Sequence, residues 1–117
     1  MRCFSRDDLE KTLFPGRTIQ RAIGHNSFSG SQLMTVGFAH YAAEAGAMEP
    51  HQHAEEAIYV IAATHGWVEY GPQKDRLETK VDLAAGMVLH VPAGEWHVFR
   101  YAEGGFVDIV FIYAQVM

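Results

Sequence analysis

Short apolar runs separated by turn chemistry set the strongest limit on how this chain of 117 residues can fold. Residues 33–42 carry β-forming and aromatic side chains on alternating positions, and residues 76–81 alternate charged with apolar ones. Residues 57–63 and 106–113 are apolar on both faces, apart from Asp108. Alternation with a period of two marks a half-buried strand, and a brief continuous apolar run between turn residues marks a fully buried one. Residues 17–23 also read as strand, and 67–70 as a hairpin partner of 57–63 returning after a His65–Gly66 turn. Glycine, proline, serine and asparagine punctuate the runs at 24–31, 71–74 and 92–94. Only residues 5–14 read as a short helix, with Ser5 as cap, Asp8 completing a capping box, a Phe4–Leu9 staple, and Pro15–Gly16 as its stop. Many short strands with one short helix predict an all-β barrel or sandwich, in one domain over 1–117.

The chemistry concentrates in residues 46–56, GAMEPHQHAEE. His51 and His53 are two residues apart, so on an extended segment both imidazoles aim into one space while Gln52 points away. A carboxylate follows at Glu56, with Glu55 as its rival. Two imidazoles and a carboxylate make most of a metal site. Residues 86–97, GMVLHVPAGEWH, supply a third imidazole. Pro92–Ala93–Gly94 reads as a turn between strands at 88–91 and 97–99, and His97 opens the second of them. A hairpin opposite the His51–His53 segment would bring His97 to the same ion.

These two stretches together resemble the cupins, and in particular a small, single-domain cupin. Gly86, Pro92, Gly94 and His97 match the spacing of the second cupin motif without a gap, and His51, His53 and Glu56 fit the first, followed by AIYVI as the usual continuation. Aligning AIYVI with the family's next strand favours Glu56 over Glu55 as the ligand. Gly46 lies one residue closer to His51 than the pattern has it, and Tyr101 stands where the family carries asparagine. The resemblance spans about residues 33–113. It implies a jelly-roll β-barrel, which hides its sheet edges by closure, and a metal held by His51, His53, Glu56 and His97.

Three imidazoles and one carboxylate suit zinc, iron, manganese, nickel or copper, and suit calcium poorly. The expected cofactor is one such divalent transition ion. Histidine must be neutral to bind it, so affinity is expected to fall below about pH 6. On a regular strand Phe99 and Tyr101 share the face of His97, and Ile58 and Val60 that of Glu56. The expected pocket is therefore apolar, with Tyr101 either its general acid or substrate-orienting group or a packed aromatic. His40 and His90 read as half-exposed or structural, and Cys3 as having no catalytic role.

A net charge of −5 without a lysine–arginine cluster argues against nucleic acid as a partner. No apolar run approaches a membrane span, and the first residues lack the core of a signal peptide, so the expected location is the cytoplasm. The resemblance implies a metal-dependent enzyme acting on a small oxygen-rich metabolite, of sugar-acid isomerase or epimerase, lyase or dioxygenase type. The alternative is a non-catalytic cupin that binds or senses a small ligand. Ala57, Tyr59 and Ile61 face away from Glu56, and the second apolar face of 106–113 needs cover, so a homodimer is expected.

Overall fold

Pro15 and Gly16 turn the chain back on itself within its first twenty residues, and this hairpin starts the sheet. The computed structural model describes residues 1–114. Strand β1 (Lys11–Phe14) pairs antiparallel with β2 (Arg17–Ile23), Phe14 opposite Arg17, across a Gly16 whose φ of 88° favours glycine. The helix expected over 5–14 shrinks to one 3-10 turn, Arg6–Asp8, and its second half is strand. Asp8 still accepts the Ser5 backbone N–H at 2.8 Å, but the Ser5 side chain makes no cap bond. Thr12 and Phe14 favour extended backbone, and β2 offers this segment a hydrogen-bonded ladder that a lone helix would lack.

Strands β3 (Met34–Tyr41), β4 (Glu56–Gly71), β5 (Thr79–Asp82), β6 (Val88–Val91) and β7 (Trp96–Ala114) complete the sheet. Its order is β1-β2-β3-β7-β4-β5, with β6 also on β4, and every named pair is antiparallel. The two long strands pass through both halves. Residues 56–60 of β4 pair with 109–113 of β7, and 66–71 pair with 96–101. Among the described residues no helix is long and apolar enough to cross a membrane.

Two sequence expectations change here. His65–Gly66 is a bulge inside β4, not a hairpin turn: His65 takes a φ of 47°, the register slips between Thr64 and Gly66, and the strand continues. Trp67–Tyr70 therefore pairs with β5 and β7 instead of folding back on 57–63. Likewise β6 and β7 flank the Pro92–Gly94 turn without pairing with each other; β6 pairs with residues 56–59 of β4. Local turn signals do not distinguish a hairpin from a bulge or a crossover, because only long-range pairing decides it.

The core takes in Ile58 and Val60 of β4, Val98 and Phe99 of β7, and Val107 and Ile109 further along β7, all buried. At Gly37 of β3 an added Cβ would meet the Phe111 ring at 2.5 Å and the Gln20 carbonyl at 2.8 Å, so the ring occupies the space a side chain would take. An outer network ties the first turn to the sheet. Arg6 grips both carboxylate oxygens of Asp108 at 2.7 and 2.8 Å, and His40 reaches the same carboxylate at 3.0 Å. Asp108, the one charge in the apolar run 106–113, is thereby satisfied.

Candidate metal centre

The backbone brings the two histidine stretches together before any metal is considered. His51 and His97 exchange both backbone bonds, at 3.0 and 2.9 Å, and the Gly94 N–H donates to the His53 carbonyl at 3.0 Å. Gly94 has a φ of 81°, which the turn into β7 requires. Glu56 opens β4 on the same inward face as Ile58 and Val60. Residues 46 apart in sequence, His51 and His97, are thus stapled side by side.

One potential ligand atom from each of His51, His53 and His97 lies within 4.8 Å of the others. Ring centroids are 4.3 Å apart for His51–His97, 5.0 Å for His53–His97 and 5.3 Å for His51–His53. Nδ1 of His53 and of His97 each meets a backbone carbonyl at 3.0 Å, those of Ala54 and Glu95, and Nδ1 of His51 is turned to that of Glu49 at 3.4 Å. A ring that donates from Nδ1 presents a bare Nε2 lone pair, the tautomer a metal ligand needs. Glu56 Oε1 lies 3.4 Å from His53 Nε2 and 3.8 Å from His97 Nε2. Glu55 instead points out to solvent and pairs with His90 at 2.6 Å.

Two atoms test whether these residues fit a cation. Glu56 Oε1 and His97 Nε2 are buried and have no hydrogen-bond partner. Leaving a buried polar atom unmatched costs about 1–3 kcal/mol each, and two such atoms facing one another are both acceptors when the imidazole is neutral and the carboxyl ionised. A cation between them satisfies both at once. Electrostatics agree with this reading. Burial, then the neighbouring His97, push His51 down to about 4. Burial also lowers His97 and pushes Glu56 up to about 7. The His51 and His97 imidazoles are neutral and ready near neutral pH, and the carboxyl is the group starved of a positive partner.

The ligand cluster opens into a cavity of about 100 Å³. Phe99, Phe111, Ile19 and Ala39 form its apolar wall, and Arg17, Tyr41 and Tyr113 bring its polar groups. Tyr101 does not line it; its hydroxyl donates to the Gly46 carbonyl at 3.0 Å. The ladder with β4 is unbroken from His97 to Tyr101, so Tyr101 keeps the parity of His97 and Phe99 but stands too far along the strand to line the cavity. Arg17 and Tyr113 escaped the sequence reading. Arg17 shares parity with Ile19, and Tyr113 with Ile109 and Phe111, but which parity faces inward depends on pairing with distant strands. Tyr41 is 4% exposed and lines the cavity. Burial raises its phenol well above the ordinary value, so at neutral pH it is a hydrogen-bond donor.

No protein-family model matches the sequence, and no curated protein matches it. Solved structures do. The polyketide cyclase RemF from Streptomyces resistomycificus superimposes with a TM-score of 0.80 at 20% identity, covering 99% of this chain and 80% of that one. The DMSP lyase DddQ from Ruegeria pomeroyi gives 0.72 at 15%, over 94% of this chain and 57% of that one. A variant of oxalate decarboxylase from Bacillus subtilis gives 0.69 at 19%, over 96% of this chain and 29% of that one. The chain has the cupin fold, a nearly all-β antiparallel jelly roll carrying a cluster of three histidines.

Proposed function

We propose that this protein is a metal-dependent enzyme acting on a small oxygen-rich metabolite, with one divalent transition ion held by His51, His53, His97 and Glu56. The observation that carries the reading is the pair of buried, unpartnered atoms, Glu56 Oε1 and His97 Nε2, 3.8 Å apart. When bound, such an ion supplies Lewis acidity and a site for a chelating oxygen pair. The chain's own groups do the rest. Phe99 and Phe111 keep water from the ligand's apolar side, and Tyr41 Oη holds a proton where a bound oxygen can accept it. In this role Tyr41 replaces Tyr101, whose hydroxyl is spent on Gly46. The similar structures include a cyclase, a lyase and a decarboxylase, and at their low identity the reaction type does not carry over. Sugar-acid isomerisation or epimerisation, lyase chemistry and dioxygenation remain the classes to test. A homodimer formed through the outward apolar face of β4, β6 and β7 belongs to the same reading.

A ligand-binding cupin without turnover is the second reading, and the scarcity of acid–base groups around the cavity favours it. The experiment that separates the two uses cobalt-substituted protein. Keto acids, hydroxy acids and diols that perturb the cobalt spectrum, and are turned over only with metal present, support the enzyme. Dioxygen uptake by iron-loaded protein would indicate dioxygenation, and turnover in air-free buffer isomerase or lyase chemistry. Tight binding with no turnover in either atmosphere would leave the binding module.

A further inference from the structure

Arg17 and Tyr41 bring a guanidinium and a phenol to the cavity wall. Arg17 is the first residue of β2, and its side chain lines the cavity. Arg6, Arg76 and Arg100 are each paired with a carboxylate. Arg17 has no such pair among the described residues; its one hydrogen bond goes to the Pro15 carbonyl, at 3.4 Å. Tyr41 is 4% exposed, packs its ring on Phe99 at a centroid distance of 4.8 Å, and lines the cavity beside Arg17.

The sheet puts these two groups side by side. Ile19 of β2 stands opposite Ala39 of β3, and both line the cavity. Two residues further along each antiparallel strand, Arg17 and Tyr41 are cross-strand neighbours on that same face. Charge points the same way. A divalent ion held by three neutral imidazoles and one carboxylate keeps a net positive charge, and the guanidinium adds another. The cavity is small, about 100 Å³, and its walls are flat aromatic rings.

Resting on the metal reading above, we propose that the cavity selects a small planar carboxylate, a keto acid or its enol, whose charge is met by Arg17 and one of whose oxygens accepts a hydrogen bond from Tyr41. Arg17 is then the specificity-determining residue, and a neutral molecule of the same shape is rejected because the guanidinium stays unpaired. Neutral sugars and simple diols are disfavoured on the same ground.

Pyruvate and its neutral isostere pyruvamide, titrated calorimetrically into metal-loaded and metal-free protein, test this directly. Wild-type protein should bind pyruvate more tightly than pyruvamide. Arg17→Gln should weaken pyruvate roughly 10- to 100-fold, the worth of a charge-assisted hydrogen bond, and change pyruvamide little. Arg17→Lys, which keeps the charge on an unaltered strand, should retain part of the discrimination and guards against misfolding of the Gln variant. Tyr41→Phe should weaken both probes alike. Equal losses for the two probes in Arg17→Gln, or no measurable pyruvate binding to either wild-type sample, would overturn the proposal. Metal content measured on the same samples separates the two ideas. Protein that holds no metal yet takes pyruvate through Arg17 keeps this inference and loses the metal reading, whereas metal-loaded protein indifferent to Arg17 does the reverse.

Discussion

Glu56 and His97 face each other 3.8 Å apart in the interior, and neither facing atom has a hydrogen-bond partner. Two acceptors do not sit like this without a shared positive group, unless one of them carries a proton. The alternatives differ in their pH dependence, and several measurements follow from that.

Metal affinity should depend on pH through Glu56 more than through the histidines. His51 lies near 4 and Glu56 near 7 in the metal-free protein. Below about 7 the ion must displace the carboxyl proton, so apparent affinity should fall by about tenfold per pH unit as pH drops and level off above 7. This places the loss about half a unit higher than free histidines would. Glu56→Gln should bind more weakly and show a shallower profile than wild type from about 5.5 to 7.5, the range where histidine alone would act. A wild-type profile flat across that window, read by competition with a chromophoric chelator, would count against Glu56 as a ligand.

The Arg6–Asp108–His40 network should show in acid stability. The Arg6 and His40 hydrogen bonds outweigh burial and hold the Asp108 carboxyl below its ordinary value of 3.8. A depressed carboxyl stabilises the fold above its unfolded value, and the contribution disappears as pH falls through the lower folded value. The loss therefore falls below about pH 4. Asp108→Asn should remove about 2 kcal/mol at neutral pH, the scale of a lost charge-assisted bond, and flatten the acid limb of a denaturation series. An unchanged midpoint in urea would contradict this.

Gly37→Ala should cost about 1–3 kcal/mol, the range for overpacking a core. The new methyl would press on Phe111 Cζ, 2.5 Å from the Cβ position, and Phe111 lines the cavity. Ligand affinity should therefore fall together with thermal stability. A variant as stable as wild type would mean that the ring moves freely.

The outward face should hold two chains together. Tyr59, Val88 and Ile112 are 47%, 72% and 43% exposed, and Tyr59 stands opposite Val88 in the ladder while Ala57 stands opposite Ile112. Light scattering at micromolar concentration should give the dimer mass, and Val88→Lys should halve it. A monomer in the wild type would remove this part of the account.

The cluster of three histidines was legible because it lies in two short stretches. His51–x–His53 needs only an extended backbone, and the proline and glycines before His97 specify a local turn. The preference for Glu56 over Glu55 came instead from the resemblance, through the alignment of AIYVI with the family's next strand, and Glu55 pairs with His90 at the surface. What escaped depends on pairing across the sheet. Arg17 and Tyr113 reach the cavity from β2 and β7, and no local pattern says which face of those strands is inward. His65–Gly66 has the composition of a turn, but the ladder with β7 carries β4 straight through it. Residues 5–14 have helix-start chemistry at Ser5 and Asp8, yet the hairpin at Pro15–Gly16 draws their second half into the sheet.

The most direct test of the central claim is the metal content of protein purified without chelator, measured by elemental analysis beside variants of the proposed ligands. The account predicts about one divalent transition ion per chain in the wild type, almost none in a His51→Ala, His97→Ala double variant, and a reduced share in Glu56→Gln but not in Glu55→Gln. Undiminished metal in the double variant, or wild-type protein that takes up no transition metal even when it is offered, would contradict it.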